Sequence, residues 1–162
     1  MRTFALAVPA LLLTAVVAMP QPPAQPPATP EDARLANYFQ TYLDQEFQRH
    51  PAYATQQGNH DHDDRLDDLS PAARAKDVET TRKTLADVKK EIDPSKLSRN
   101  GQIDLEIFTH SLDYSLWSAA NDDRFQFDPR VYGEYLSDSV FLLFTQSTLP
   151  AGRNRANAAG RI

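Results

Sequence analysis

Proline sets where this chain can be helical. A proline lacks an amide hydrogen and clashes with the preceding turn, so a helix accepts it at its first position and resists it inside. Past the N-terminal region the prolines are Pro30, Pro51, Pro71, Pro94, Pro129 and Pro150. Thr29, Ser70, Asp93 and Asp128 each precede one of them and can cap exposed amides. The chain is therefore cut into short lengths, and each length can be tested for helical spacing.

From Pro30, Leu35, Phe39, Tyr42, Leu43 and Phe47 recur at intervals of three and four, which predicts a helix over about 30–49. His50-Pro51 ends it, because the residue before proline is pushed out of the helical region. A short second helix runs from Pro51 to a stop at Gly58. Ser70-Pro71 starts a third, with Val78, Thr81, Leu85, Val88 and Ile92 as a narrow seam that closes at Asp93-Pro94. Ser98 caps a fourth, although Gly101 weakens its first turn. Its apolar positions, from Ile103 through Leu105, Phe108 and Leu112 to Trp117, make a broad face, so this helix is expected to be central and touched on more than one side. Asn121-Asp122-Asp123 breaks it, and the alternation around Phe125 and Phe127 is too short to specify a strand.

Asp128-Pro129 opens a fifth helix that reaches the all-round apolar run Val140 to Phe144, which calls for burial on every side. The last segment, after Leu149-Pro150, places Arg153, Arg155 and Arg161 among alanines, which reads as a solvated face or as a small basic end for anionic lipid. The fold class is all-α, an array of about five to six amphipathic helices. Tyr114, Trp117, Phe141 and Phe144 are expected in its core. The final segment has almost no apolar face and ends without a cap, so residues 31–162 are expected to be an incomplete part of a larger helical domain.

Ahead of the helices, Arg2 and an apolar run from Phe4 to Ala18 describe a signal peptide over residues 1–18. Six prolines between Pro20 and Pro30 make residues 19–30 a semi-rigid linker. The expected product is exported, periplasmic or extracellular, without stable membrane insertion once the signal is cleaved; an uncleaved N-terminal anchor is the alternative. The chain has no cysteine, which excludes disulfides and thiolate metal ligands. A net charge of −5 without a basic patch excludes nucleic acid as a partner.

The stretch Gly58-Asn59-His60-Asp61-His62-Asp63-Asp64-Arg65-Leu66-Asp67-Asp68-Leu69 concentrates the polar chemistry, with two histidines, five aspartates and an arginine between helices. Three roles fit it. His60 and His62, two apart in an extended loop, would share one side and bind a divalent cation with neighbouring carboxylates, although the spacing fails the calcium-loop pattern. The aspartates alternatively form a capped turn in which Arg65 pairs with one of them. In the third role the loop lines a substrate cleft, where His60 or Arg65 holds a peptide carboxylate or carbonyl. No nucleophile elbow, phosphate loop or dinucleotide fingerprint is present.

Several of these short motifs, in order, resemble the bacterial family called domain of unknown function 885. They are His50-Pro51, Tyr53-Ala54-Thr55, Gly58-Asn59-His60, the run Asp63 to Pro71, Ile92-Asp93-Pro94 with Leu97-Ser98, Asp104-Leu105-Glu106, and Asp128-Pro129-Arg130-Val131-Tyr132. The similarity covers roughly residues 31–162. It implies an all-helical, exported protein similar to zinc metallopeptidases that act on peptides, with a His-Glu zinc motif far downstream in the full-length protein. This chain has no His-Glu pair, so no catalytic residue carries over and no cofactor is expected in it. The resemblance therefore implies an N-terminal portion, inactive alone, that forms a cleft wall. The competing expectation is a non-enzymatic helical envelope protein that binds a partner.

Overall fold

The computed structural model describes residues 28–122 and 124–162. The signal peptide and nearly all of the linker lie outside the described residues. All regular structure among the described residues is helical: α1 (Pro30–Arg49), α2 (Pro51–Gln56), α3 (Pro71–Glu91), a 3-10 turn (Pro94–Lys96), α4 (Arg99–Asn121), α5 (Arg124–Phe127), α6 (Arg130–Thr145) and α7 (Ala151–Gly160). The protein is all-α, with six helices and the single four-residue turn α5. That turn contains Phe125 and Phe127, whose alternation is thus helical, not extended.

Local chemistry explains where the helices start. Thr29 Oγ1 accepts from Asp32 N at 3.1 Å, and the Asp32 carboxylate accepts from Thr29 N at 2.6 Å, closing a reciprocal cap on α1. The other Asp32 oxygen accepts from Ser98 N and Ser98 Oγ, both at 3.1 Å, so one carboxylate joins the starts of α1 and α4. The Thr29 amide, joined by Ser98, holds the Asp32 carboxyl below the usual range against partial desolvation. A Cβ at Gly101 would overlap Asp32 Oδ1. The glycine that weakens the first turn of α4 is what lets α1 approach it.

The main core lies between α1, α3 and α4. Leu35, Val88, Ile92, Leu97 and Leu105 form it, with Tyr38, Phe39 and Phe108 packed against it. Each such buried side chain contributes roughly 1.5–3 kcal/mol. The Phe108 ring stands 4.9 Å from both Phe39 and Tyr42, centroid to centroid. Tyr38 donates to Thr84 O at 3.1 Å and fixes α1 against α3.

A second packing group brings α2, α6 and α7 together, with Ala52, Ala54, Leu142, Leu143 and Ala158 buried. Three expectations change here. Leu142 and Leu143 are buried, but Phe141 and Phe144 are exposed, so the run 140–144 is covered on one side only. Tyr114 and Trp117 are exposed as well, stacked on each other at 6.1 Å. Helical spacing identifies an apolar face, and here α4 turns a different face to α1 and α3. Arg161, finally, is not on a solvated face. Its side chain is fully buried, whereas Arg153 and Arg155 are exposed.

Candidate functional site

The 58–69 loop is organised around Asp63, which is buried. Its Oδ1 accepts from Thr55 Oγ1 at 2.6 Å, and its Oδ2 lies 2.9 Å from His60 Nδ1 and 3.5 Å from Asn157 Nδ2. Arg161 reaches the same point from the end of α7. It donates to Thr55 Oγ1 at 2.7 Å and to Ser139 O, with Asp63 Oδ1 3.9 Å away. Burial lowers the Arg161 pKa from its usual value, and the Asp63 carboxylate opposes the shift. The Nε of Arg161 is buried without a hydrogen-bond partner among the described residues. Gly160 permits this approach, because a Cβ there would stand 2.7 Å from Asp64 O.

His60 is thus held by Asp63, and its imidazole is mostly covered. His62 Nδ1 faces the Arg65 guanidinium instead. Arg65 is exposed and has no carboxylate partner among the described residues, so the expected pairing with an aspartate does not form. The two histidines are not drawn to one point, and no group of three His, Cys, Asp or Glu side chains among the described residues is placed to hold a metal ion. His60 and His62 are therefore not assembled with carboxylates into a metal site among the described residues.

A cleft of about 770 Å³ opens beside the loop, bounded by α3, α4, α5 and α6. Neither His60 nor Arg65 lines it. Its lining includes His50, Asp67 and Tyr135. His50 lies at the α1–α2 junction, with Nε2 3.4 Å from Glu46 and 3.6 Å from Asp77, and Nδ1 3.6 Å from Asp67. Asp67 is the main influence raising its pKa. Burial opposes the rise, and Glu46 and Asp77 add to it. Arg49 spans Asp77, at 2.9 Å, and Glu46, so these carboxylates already share a cation.

Asp67 also accepts from Ala52 N at 3.0 Å, capping α2 from a distance, and its own amide donates to Tyr135 Oη at 2.6 Å. Burial pushes the Tyr135 pKa up to about 12, which keeps the hydroxyl neutral. Arg74, also in the lining, lies over the Phe125 ring at 4.5 Å, held by a hydrogen bond to Leu69 O at 2.6 Å. The lining thus combines an imidazole among carboxylates, a guanidinium on an aromatic ring and apolar side chains. It offers charge of both signs and apolar surface to a polar, extended ligand.

The chain matches the model of a family described as bacterial protein of unknown function (DUF885), over residues 51–162. It belongs to that family. The match starts at Pro51, inside the region over which the sequence motifs run. No curated protein and no solved structure matches this DUF885 chain. No described helix is long and apolar enough to cross a membrane.

Sequence motifs located the DUF885 loop but not its hub. Arg161 had no signal beyond the neighbouring small residues Ala158, Ala159 and Gly160, which allow close approach. His50 was legible only as a helix stop, although Glu46 lies one turn before it.

Proposed function

We propose that this DUF885 chain supplies a substrate-holding wall in an exported metallopeptidase-like protein, and that the cleft between α3, α4, α5 and α6 receives a peptide. The carrying observation is that the cleft is lined by charges of both signs. Arg74 lies over the Phe125 ring, and Asp67 and Asp77 stand beside His50. A peptide offers a carboxylate for the guanidinium and an amine for the carboxylates, with side chains for the apolar surface. The metal belongs to the resemblance alone. In this reading the chain holds and orients substrate, and chemistry on the peptide bond is supplied from outside the described residues.

Isothermal titration of the purified chain with a free alanine hexapeptide, and with the same peptide amidated at its C-terminus, tests the cleft. The free acid should bind, the amide should bind about tenfold more weakly, and Arg74→Ala should abolish that difference. Arg65→Ala serves as the control for the loop. If the difference disappears with Arg65→Ala and survives Arg74→Ala, the peptide carboxylate sits on the exposed loop and the cleft assignment is wrong. If neither peptide binds, the substrate-wall role fails. Export is tested separately by N-terminal sequencing of the native product, which should begin near residue 19.

A further inference from the structure

Helix α4 carries a second apolar stripe. Ile103, Ile107, His110, Tyr114 and Trp117 step by four, three, four and three residues, the seam spacing of a helix that packs along another helix. Ile107, Tyr114 and Trp117 are 60%, 61% and 61% exposed, and Ile103 is 37% exposed. The buried residues Leu105 and Leu112 lie about 180° around the axis, facing α1 and α3. The stripe is therefore separate from the core face. It runs for about 21 Å, two heptads of a partner.

Between Ile103 and Trp117 its borders carry only acidic charge; Arg99, a turn ahead of Ile103, is the one cation on that flank. Glu106 and Asp113 flank one side and Asp104 the other; all three are exposed, and none forms an ion pair among the described residues. These borders disfavour a second copy of α4. An antiparallel pair centred on His110 would set Glu106 of one copy beside Asp113 of the other, two like charges at flanking positions. A parallel pair would offer Glu106 only Ser111. The surface instead complements a helix with apolar residues at the same spacing and lysine or arginine beside them.

From the exposed seam of α4 and its acidic borders, we infer that Ile103, Ile107, Tyr114 and Trp117 dock a basic amphipathic helix. The inference does not depend on the peptide cleft: Tyr114 borders both surfaces, but Ile103, Ile107 and Trp117 do not line the cleft. Trp117 is the only tryptophan of the chain, so its fluorescence reads the seam directly.

The test titrates the purified chain with two synthetic three-heptad helical peptides. Both carry leucine at the seam positions; one has lysine flanks and the other glutamate flanks. The lysine peptide should shift Trp117 emission and bind about tenfold more tightly than the glutamate peptide. Ile107→Gln should weaken it about tenfold, with an unchanged thermal melt because the side chain is exposed. The double variant Glu106→Lys with Asp113→Lys should reverse the preference. Equal binding of both peptides, or a preference that does not reverse, overturns the charge-directed site. Concentration-dependent dimerisation abolished by Ile107→Gln would assign the seam to a second copy and overturn it as well.

Discussion

A carboxylate with only 2% of its surface exposed must find its compensation inside the protein, and Asp63 finds it in Thr55, His60, Asn157 and the distant Arg161. Thr55 Oγ1 stands between acid and guanidinium, donating to the acid and accepting from the guanidinium. Replacing Asp63 by Ala would leave the Arg161 charge buried and uncompensated, which should cost about 3–5 kcal/mol in urea unfolding. The double variant Asp63→Leu with Arg161→Met should recover most of that loss, since it removes both charges. Arg65→Ala, on the exposed side of the same loop, should stay within about 0.5 kcal/mol. His50 supplies the pH dependence. Its folded pKa is raised, chiefly by Asp67, so its contribution is full below the unfolded value near 6.5 and is lost as pH rises through the folded value. The thermal midpoint should therefore fall on the alkaline side of about pH 6.5, and His50→Gln should flatten that fall.

Among the elements, α7 is held more by one side chain and one close approach than by an apolar face. Gly160→Ala would place a methyl group 2.7 Å from the Asp64 carbonyl oxygen and should cost about 1–3 kcal/mol. The loss should concentrate in faster hydrogen exchange of α7 amides while those of α3 keep their protection. The helix boundaries were legible because proline and capping residues act locally: α1 begins at Pro30 and ends at Arg49 as its spacing requires. The seam Val78 to Ile92 was legible too, since α3 has one apolar face to bury. α4 was harder, because its core face and its exposed stripe are both apolar and a one-dimensional pattern merges them. The candidate site was least legible. Asp63, His60 and Arg65 stood out by composition, but the hub depends on Arg161, and the cleft lining draws on His50 and Tyr135. Only the folded path of the chain joins those residues.

For the whole molecule, exposed aromatic surface includes the α4 stripe, the Phe141–Phe144 edge of α6 and, singly, Tyr53, Phe127 and Tyr132. Apolar patches of this kind favour association. The double variant Phe141→Ser with Phe144→Ser should therefore lower concentration-dependent light scattering without reducing the thermal midpoint, because neither ring contributes to the core. The bond between Arg161 and Thr55 spans 106 residues of sequence, whereas Tyr38 meets Thr84 across 46. Contacts between distant parts of a chain are slower to form, and a ribosome delivers them late, at about 5–20 residues per second. The α1–α3–α4 core has all its partners once Leu112 has emerged. Asp63 must wait for Arg161, so during synthesis the loop remains an open, hydrated turn for several seconds after the core can close.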